Sequence, residues 1–180
     1  MPLTHLALLR GINLGAKNKL PMKDLGEMFA SAGCGKVRTF IQSGNVIFVA
    51  APGRADRMPD LIRGQIAKHF GYQVPIVLRT TEQLANVIRN NPFLKAGVAE
   101  QELHVLFLGD LPAPRAVQSL DPDRSPPDEF RIAGREIYLR LPNGVGRSKL
   151  NNQYFDSRLG TISTGRNWRT VTKLFELMSE

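Results

Sequence analysis

The chain has 180 residues, 42% of them hydrophobic, enough for one domain or for two small packed halves. Its formal charge of +8 at pH 7 and pI of 10.1 favour anionic partners over basic ones. No apolar run approaches the roughly 20 residues of a membrane-spanning helix, and a single cysteine, Cys34, excludes an internal disulfide.

The opening MPLTHLALLRGIN has no basic region ahead of its short apolar run and no small-residue cleavage site behind it. It reads as a strand, not as a secretory signal. A reducing cytoplasm is the expected setting, and no membrane partner is expected. Residues 4–10 are the buried strand, and the glycine-containing stretch 11–20 follows. Residues 21–33 place Met22, Leu25, Met28, Phe29 and Ala32 on one helical stripe, with Pro21 suited to the first turn and Gly33 to the C-terminal cap. Residues 36–50 alternate and break at Ser43, Gly44 and Asn45, which predicts a hairpin. A second helix is expected over 58–71 and a strand over 73–79, at an edge because of Pro75.

The order β-α-β-β-α-β over the first 79 residues is the ferredoxin-like pattern. Residues 80–180 read as a second, variant half: a helix over 80–92 with a capping box of Thr80 and Gln83, a strand over 102–109, a short helix over 113–120, a hairpin over 128–141 and a helix over 148–160. The last strand is expected to be missing, its place taken by a closing helix that carries Trp168, Val171, Leu174, Phe175 and Met178. The predicted class is α+β in two subdomains, 1–79 and 80–180, with 119–128 as the most mobile loop.

Charge is uneven. Residues 1–90 carry 12 Lys and Arg against 5 Asp and Glu, whereas residues 100–136 carry 4 against 8 and residues 140–173 carry 7 against Asp156 alone. The two basic segments would make a positive patch if the fold brings them together. Within them, three polar loops combine cations with flexible backbone. Arg10, Asn13, Lys17 and Lys19 precede a helix N-terminus, where free N–H groups and the helix dipole attract anions. Arg147, Ser148 and Lys149 follow a Gly-x-Gly turn, with Ser148 placed to cap the next helix. Arg166 and Asn167 precede Trp168. Asn45 joins them if the hairpin end faces the site. Each loop also reads as an ordinary solvated connection.

Catalytic sets are sparse. His5, His69 and His104 are isolated and expected to be structural. Cys34 has no neighbouring base. There is no metal-ligand spacing, no nucleophile elbow and no Walker loop, so no metal and no cofactor are expected and an enzymatic role is left open. Asp24 and Glu27 suit a helix N-terminus.

The stretches ALLRGINLGAKNKLPMKDL, VRTFIQSGNVIF, LPNGVGRSKLNN and TGRNWRTVTKLFEL together resemble the bacterial proteins grouped as domain of unknown function 1697, over essentially the whole chain. The resemblance implies two α+β subdomains, the first ferredoxin-like. It implies no catalytic residues, because the family's name assigns no activity. The chain departs from the pattern at Ala16, where members usually carry Gly, and at Arg169, where they usually carry Asn.

The expectation is therefore a cytoplasmic anion-binding protein, with nucleic acid, a nucleotide or another phosphorylated small molecule as ligand. One alternative is an enzyme on a small phosphorylated or carboxylated metabolite. The other is a protein-interaction module, its partner unspecified.

Overall fold

The apolar run at the N-terminus becomes β1 (Leu3–Leu9), and the helical stripe after it becomes α1 (Met22–Ser31). These open a computed structural model that describes residues 1–180, in which the chain divides into two units, residues 1–84 with 174–180 and residues 85–173. In the first unit β2 (Gly35–Phe40), β3 (Asn45–Ala50), α2 (Pro52–Ala55), α3 (Met58–Phe70), β4 (Ile76–Thr80) and the start of α4 (Thr81–Arg89) follow. The sheet is antiparallel with order β2-β3-β1-β4. β1 and β2, joined through α1, are thus separated by β3, and the Pro75-preceded β4 lies at an edge.

Period-2 alternation sends Ala7 and Leu9 of β1 and Val46 and Phe48 of β3 to the helix-covered face, where they meet Leu25 and Phe29 of α1 and Ile62 and Ile66 of α3. Phe29 and Phe48 lie 5.0 Å apart between ring centroids. Each such buried aromatic or aliphatic side chain contributes about 1.5–3 kcal/mol. α1 ends as its glycine predicts. Gly33 has φ +83°, its N–H reaches Ala30 O at 2.9 Å, and the Cys34 N–H reaches Phe29 O at 3.1 Å. That turn buries Cys34, and burial pushes its thiol above the ordinary range despite the positive Arg54. The thiol is a packing group, not a nucleophile.

The second unit continues α4 and adds α5 (Pro92–Lys95), β5 (Leu103–Leu108), α6 (Pro114–Gln118), β6 (Glu129–Ala133), β7 (Glu136–Arg140), α7 (Asn152–Leu159), β8 (Ser163–Asn167) and the first half of α8 (Trp168–Ser179). Its sheet order, β6-β7-β5-β8, repeats that of the first. Leu106, Leu108, Ile137 and Leu139 face Tyr154, Phe155 and Leu159 of α7. The hydroxyl of Tyr138 donates to Val87 O at 3.2 Å, and burial pushes its pKa far above the usual value. The capping box forms as expected: Thr80 N–H reaches Gln83 Oε1 at 2.9 Å and Gln83 N–H reaches Thr80 Oγ1 at 3.3 Å.

Three expectations are corrected. The fourth strand of the second half is present as β8. Its sequence, STGRN, has no apolar alternation, because the strand is held by the ladder to β5. A Cβ at Gly165 would come within 2.7 Å of Leu106 Cδ2, so the glycine permits that close pairing. α7 begins at Asn152, and its cap is Asn151, whose Oδ1 accepts from Tyr154 N–H at 2.9 Å. Ser148 instead accepts from Leu150 N–H at 3.0 Å, a local turn that competes with capping. The 119–128 stretch is pinned: Asp121 N–H donates to Tyr154 Oη, and Ser125 Oγ donates to Asp128 Oδ2 at 2.8 Å.

His5 and His104 lie in strands with buried ring nitrogens, whereas His69 is exposed near the end of α3. His5 stacks on Phe48 with centroids 5.4 Å apart, and its Nε2 has no hydrogen-bond partner; His104 Nδ1 is likewise unpartnered. Burial lowers both pKa values below 6.5. Below that pH the unfolded chain binds protons that the folded chain excludes, so stability falls as pH drops through and below 6.5. Urea unfolding at pH 7.5 and 5.5 is expected to show the fall. His5→Phe, which keeps a ring against Phe48, is expected to show a smaller one. An equal fall in the variant would place the titration elsewhere.

Candidate anion-binding loops

Antiparallel pairing decides which loops of the first unit are neighbours. β1 ends beside the starts of β3 and β4, with Leu8 opposite Asn45 and Leu9 opposite Ile76. The stretch after β1, the turn before β3 and the approach to β4 therefore share one end of the sheet. Leu9 N–H donates to Gly44 O at 2.8 Å and Arg10 N–H to Pro75 O at 3.0 Å.

The 10–21 stretch is braced from within. Asn13, at φ +53°, accepts from Leu20 N–H at 2.8 Å and donates through Nδ2 to Leu20 O at 2.9 Å and to Gln42 O at 3.0 Å. Asn18, at φ +49°, donates to Gly11 O at 2.8 Å. A backbone bond joins Asn13 N–H to Asn18 O, and Leu14 pairs with Lys17 in a one-residue bridge. Asparagine tolerates the left-handed region better than other side-chain-bearing residues, which is why it stands at both bends. Ala16 is not among the residues with positive φ, so the departure from the usual glycine is accommodated without strain. Residues 14–19 are exposed, Lys17 and Lys19 among them, while Ile12 and Leu20 anchor the loop in the core. Tyr72 Oη donates to Lys19 O at 2.6 Å.

No side chain caps the N-terminus of α1, where Pro21 is the N-cap. Its first-turn N–H groups and the positive end of its dipole stand directly after the two lysines, and Asp24 offsets part of that charge. Arg10 is half-buried at the base of the loop. Asn45 is fully buried; its amide donates to Phe40 O at 3.0 Å and Ser43 Oγ at 2.9 Å. The expected ligand contact is thus a brace of the hairpin turn, because a left-handed Gly44 and a tight bend need that side chain inside.

In the second unit β7 and β8 both end beside the start of β5, with Arg140 opposite Leu103 and Asn167 opposite His104. The 141–151 loop and the β8–α8 junction therefore share one end of this sheet, two strand spacings or about 10 Å apart. Arg147 and Lys149 are exposed there. The backbone of Lys149 is spoken for: its N–H donates to Ser125 Oγ at 3.0 Å, and its carbonyl accepts from Arg124 Nε at 3.1 Å. Arg124 lies over the Tyr154 ring, 4.0 Å from its centroid. The amides of Lys149 and Leu150 are therefore taken by the hydroxyls of Ser125 and Ser148, and Arg147 and Lys149 offer their charged side chains to solvent.

Arg166 is buried, and burial pushes its pKa down to about 10. Its Nη1 donates to Thr164 Oγ1 at 2.9 Å and to Gly165 O at 2.7 Å. The expected phosphate contact is instead an internal group of β8, since strand alternation turns Arg166 and Thr164 to the same inward face. Asn167 is exposed and accepts from Thr170 N–H at 2.8 Å, capping α8. Trp168 is buried, as its place on the apolar stripe predicts.

Two clefts lie away from these loops. One of 360 Å³ between α1 and α3 is lined by Asp24, Glu27, Met28 and His69 among others, and one of 340 Å³ by Pro126, Pro127 and Phe130 with their neighbours. No group of acidic, histidine and cysteine side chains has metal-binding geometry. Sequence reasoning missed Tyr72, Arg124 and Ser125, which hold the two loops from 24 to 53 residues away. No local signal marks such partners, because each is an ordinary polar residue whose role is set by pairing.

Among protein families, the model described as Protein of unknown function (DUF1697) matches residues 3–138. No curated protein matches the chain. In structure the chain is similar to a conserved bacterial protein from Streptococcus pneumoniae, with a TM-score of 0.77, 21% sequence identity and 100% of each chain covered. At that identity the likeness is one of fold.

Proposed function

This chain belongs to the DUF1697 family of proteins of unknown function, and on that footing we propose that it binds anions, with nucleic acid or a nucleotide as ligand. The observation that carries the reading is the 10–21 loop. It is ordered by Asn13 and Asn18, presents Lys17 and Lys19 to solvent, and leads into a helix N-terminus that no side chain caps. A loop ordered before its ligand arrives loses little entropy on binding. Arg147 and Lys149 add a second pair of exposed cations on a braced loop. No acidic residue occurs before Asp24, so the loop itself carries none, and Asp24 offsets only part of its charge. Asn13 and Asn167 hold backbone in place, and Arg10 stands at the foot of the first loop.

The test is a titration with a labelled mixed-sequence oligonucleotide, single- and double-stranded, at low and moderate salt. Wild-type affinity is expected to fall steeply with salt through counterion release. Lys19→Ala/Lys149→Ala is expected to weaken binding at low salt and to reduce the duplex salt slope by about two units. A mononucleotide arm separates nucleotide from polymer binding. Absence of binding to any of these at low salt, or a double variant that binds like wild type, would remove the reading.

A further inference from the structure

The same end of the first unit carries two exposed aliphatic side chains at its loop tips. Leu14 is 65% exposed and Ile41 51%. Their chain neighbours are tied together, since Asn13 Nδ2 donates to Gln42 O at 3.0 Å. Ile41 is also in the left-handed region, at φ +49°. A β-branched residue rarely adopts that conformation, and an exposed turn position gains nothing from an isoleucine unless the side chain meets something outside the fold. Leu14 bridges to Lys17 within the loop and Lys19 follows in the same exposed stretch, and the exposed large apolar side chains of this unit are Met1, Leu3, Leu14, Ile41 and Leu61.

We infer that these tips form an aliphatic wedge for duplex DNA: Leu14 and Ile41 enter between base steps while Lys17 and Lys19 hold the flanking phosphates, so that the bound duplex is bent. The inference rests on the anion-binding reading above and names its ligand. Its physical basis is the pairing of protruding, pre-ordered aliphatic side chains with cations. Such a pairing lets a protein unstack a base step and recover the cost through phosphate contacts. A single-stranded ligand is disfavoured because the side chains that protrude here are Leu14 and Ile41, whereas the aromatic rings at this end, Phe40 and Tyr72, are partly buried. A bilayer is disfavoured because anchoring at an interface scales with buried apolar area, and each tip offers one side chain.

The experiment measures bending by energy transfer between dyes on the two ends of a duplex of about 20–30 base pairs, using the full chain. Wild-type protein is expected to raise transfer on binding. Leu14→Ala/Ile41→Gly is expected to lose that rise and at least tenfold of affinity, with its salt slope kept, because the lysines remain. The glycine relieves the left-handed strain at position 41, so this variant is expected to fold, and its thermal melt checks that it does. Salt-dependent binding without a rise in transfer would overturn the wedge and leave the anion site standing. A variant that still bends the duplex would do the same. No binding to duplex at low salt would remove the wedge, and binding to the single strand or to a mononucleotide would then leave the anion site standing. A parallel arm uses phosphatidylglycerol vesicles. Binding there that is lost in the variant, with no duplex bending, would overturn the inference in favour of a lipid surface.

Discussion

Replacing Gly44 with alanine is expected to lower the free energy of unfolding by about 2–5 kcal/mol. Gly44 is at φ +78°, which costs an L-residue about 1–2 kcal/mol. An added Cβ would also come within 2.8 Å of Leu9 Cβ and 3.0 Å of Ile12 Cδ1. Leu9 is a strand residue in the core and cannot withdraw its Cβ without moving β1. Crowding of that kind costs about 1–3 kcal/mol more. Small domains have only about 5–15 kcal/mol in total, so the variant is expected to unfold at markedly lower urea, followed by circular dichroism. Gly15→Ala is the control. Its φ is +57°, but the space around it is open, so only the backbone cost applies. Equal losses in the two variants would show that packing at Gly44 contributes nothing.

Asn13→Ala is expected to cost about 2–4 kcal/mol, from three lost hydrogen bonds at about 1 kcal/mol each and from the left-handed backbone. Leu20 N–H and O and the Gln42 carbonyl lose their partner together. The loop is then free to unfold locally, and hydrogen exchange at the Leu20 amide is expected to quicken well beyond the change in global stability. Oligonucleotide affinity is expected to fall with the salt slope unchanged, since no charge is removed. Exchange at Leu20 that merely tracks global unfolding would show that the loop is held by something other than Asn13.

Much of the architecture is legible in the amino acids. The 3.6-residue stripe of α1, the apolar run of β1, the alternation over residues 36–50, the Gly33 stop and the Thr80–Gln83 box are all local features, and the elements form where they point. β8 was not legible. Its five residues hold no apolar side chain, and a strand of that kind exists only because β5 supplies the ladder. The cap of α7 was misplaced for a related reason. Ser148 and Asn151 are both good caps, and the choice between them depends on Leu150 being drawn into the core and on Ser125 holding Lys149 N–H.

The candidate site divides in the same way. That Lys17, Lys19, Arg147 and Lys149 are exposed is what the sequence leads one to expect, since lysine and arginine are rarely fully buried. Which polar residues turn inward does not follow. Asn45 and Arg166 have the composition of ligand contacts and are buried, because strand parity and a tight turn aim them at the interior. Local composition and spacing by themselves determined the helices, the apolar strands, the capping box and the positive loops. Only the tertiary structure decided the last strand, the long-range partners that hold the loops, and which of the polar residues remain available to a ligand. The physical reason is that helix stripes, caps and turns depend on residues within a few positions of one another. Pairing and side-chain direction in a sheet depend on strands that are distant in sequence.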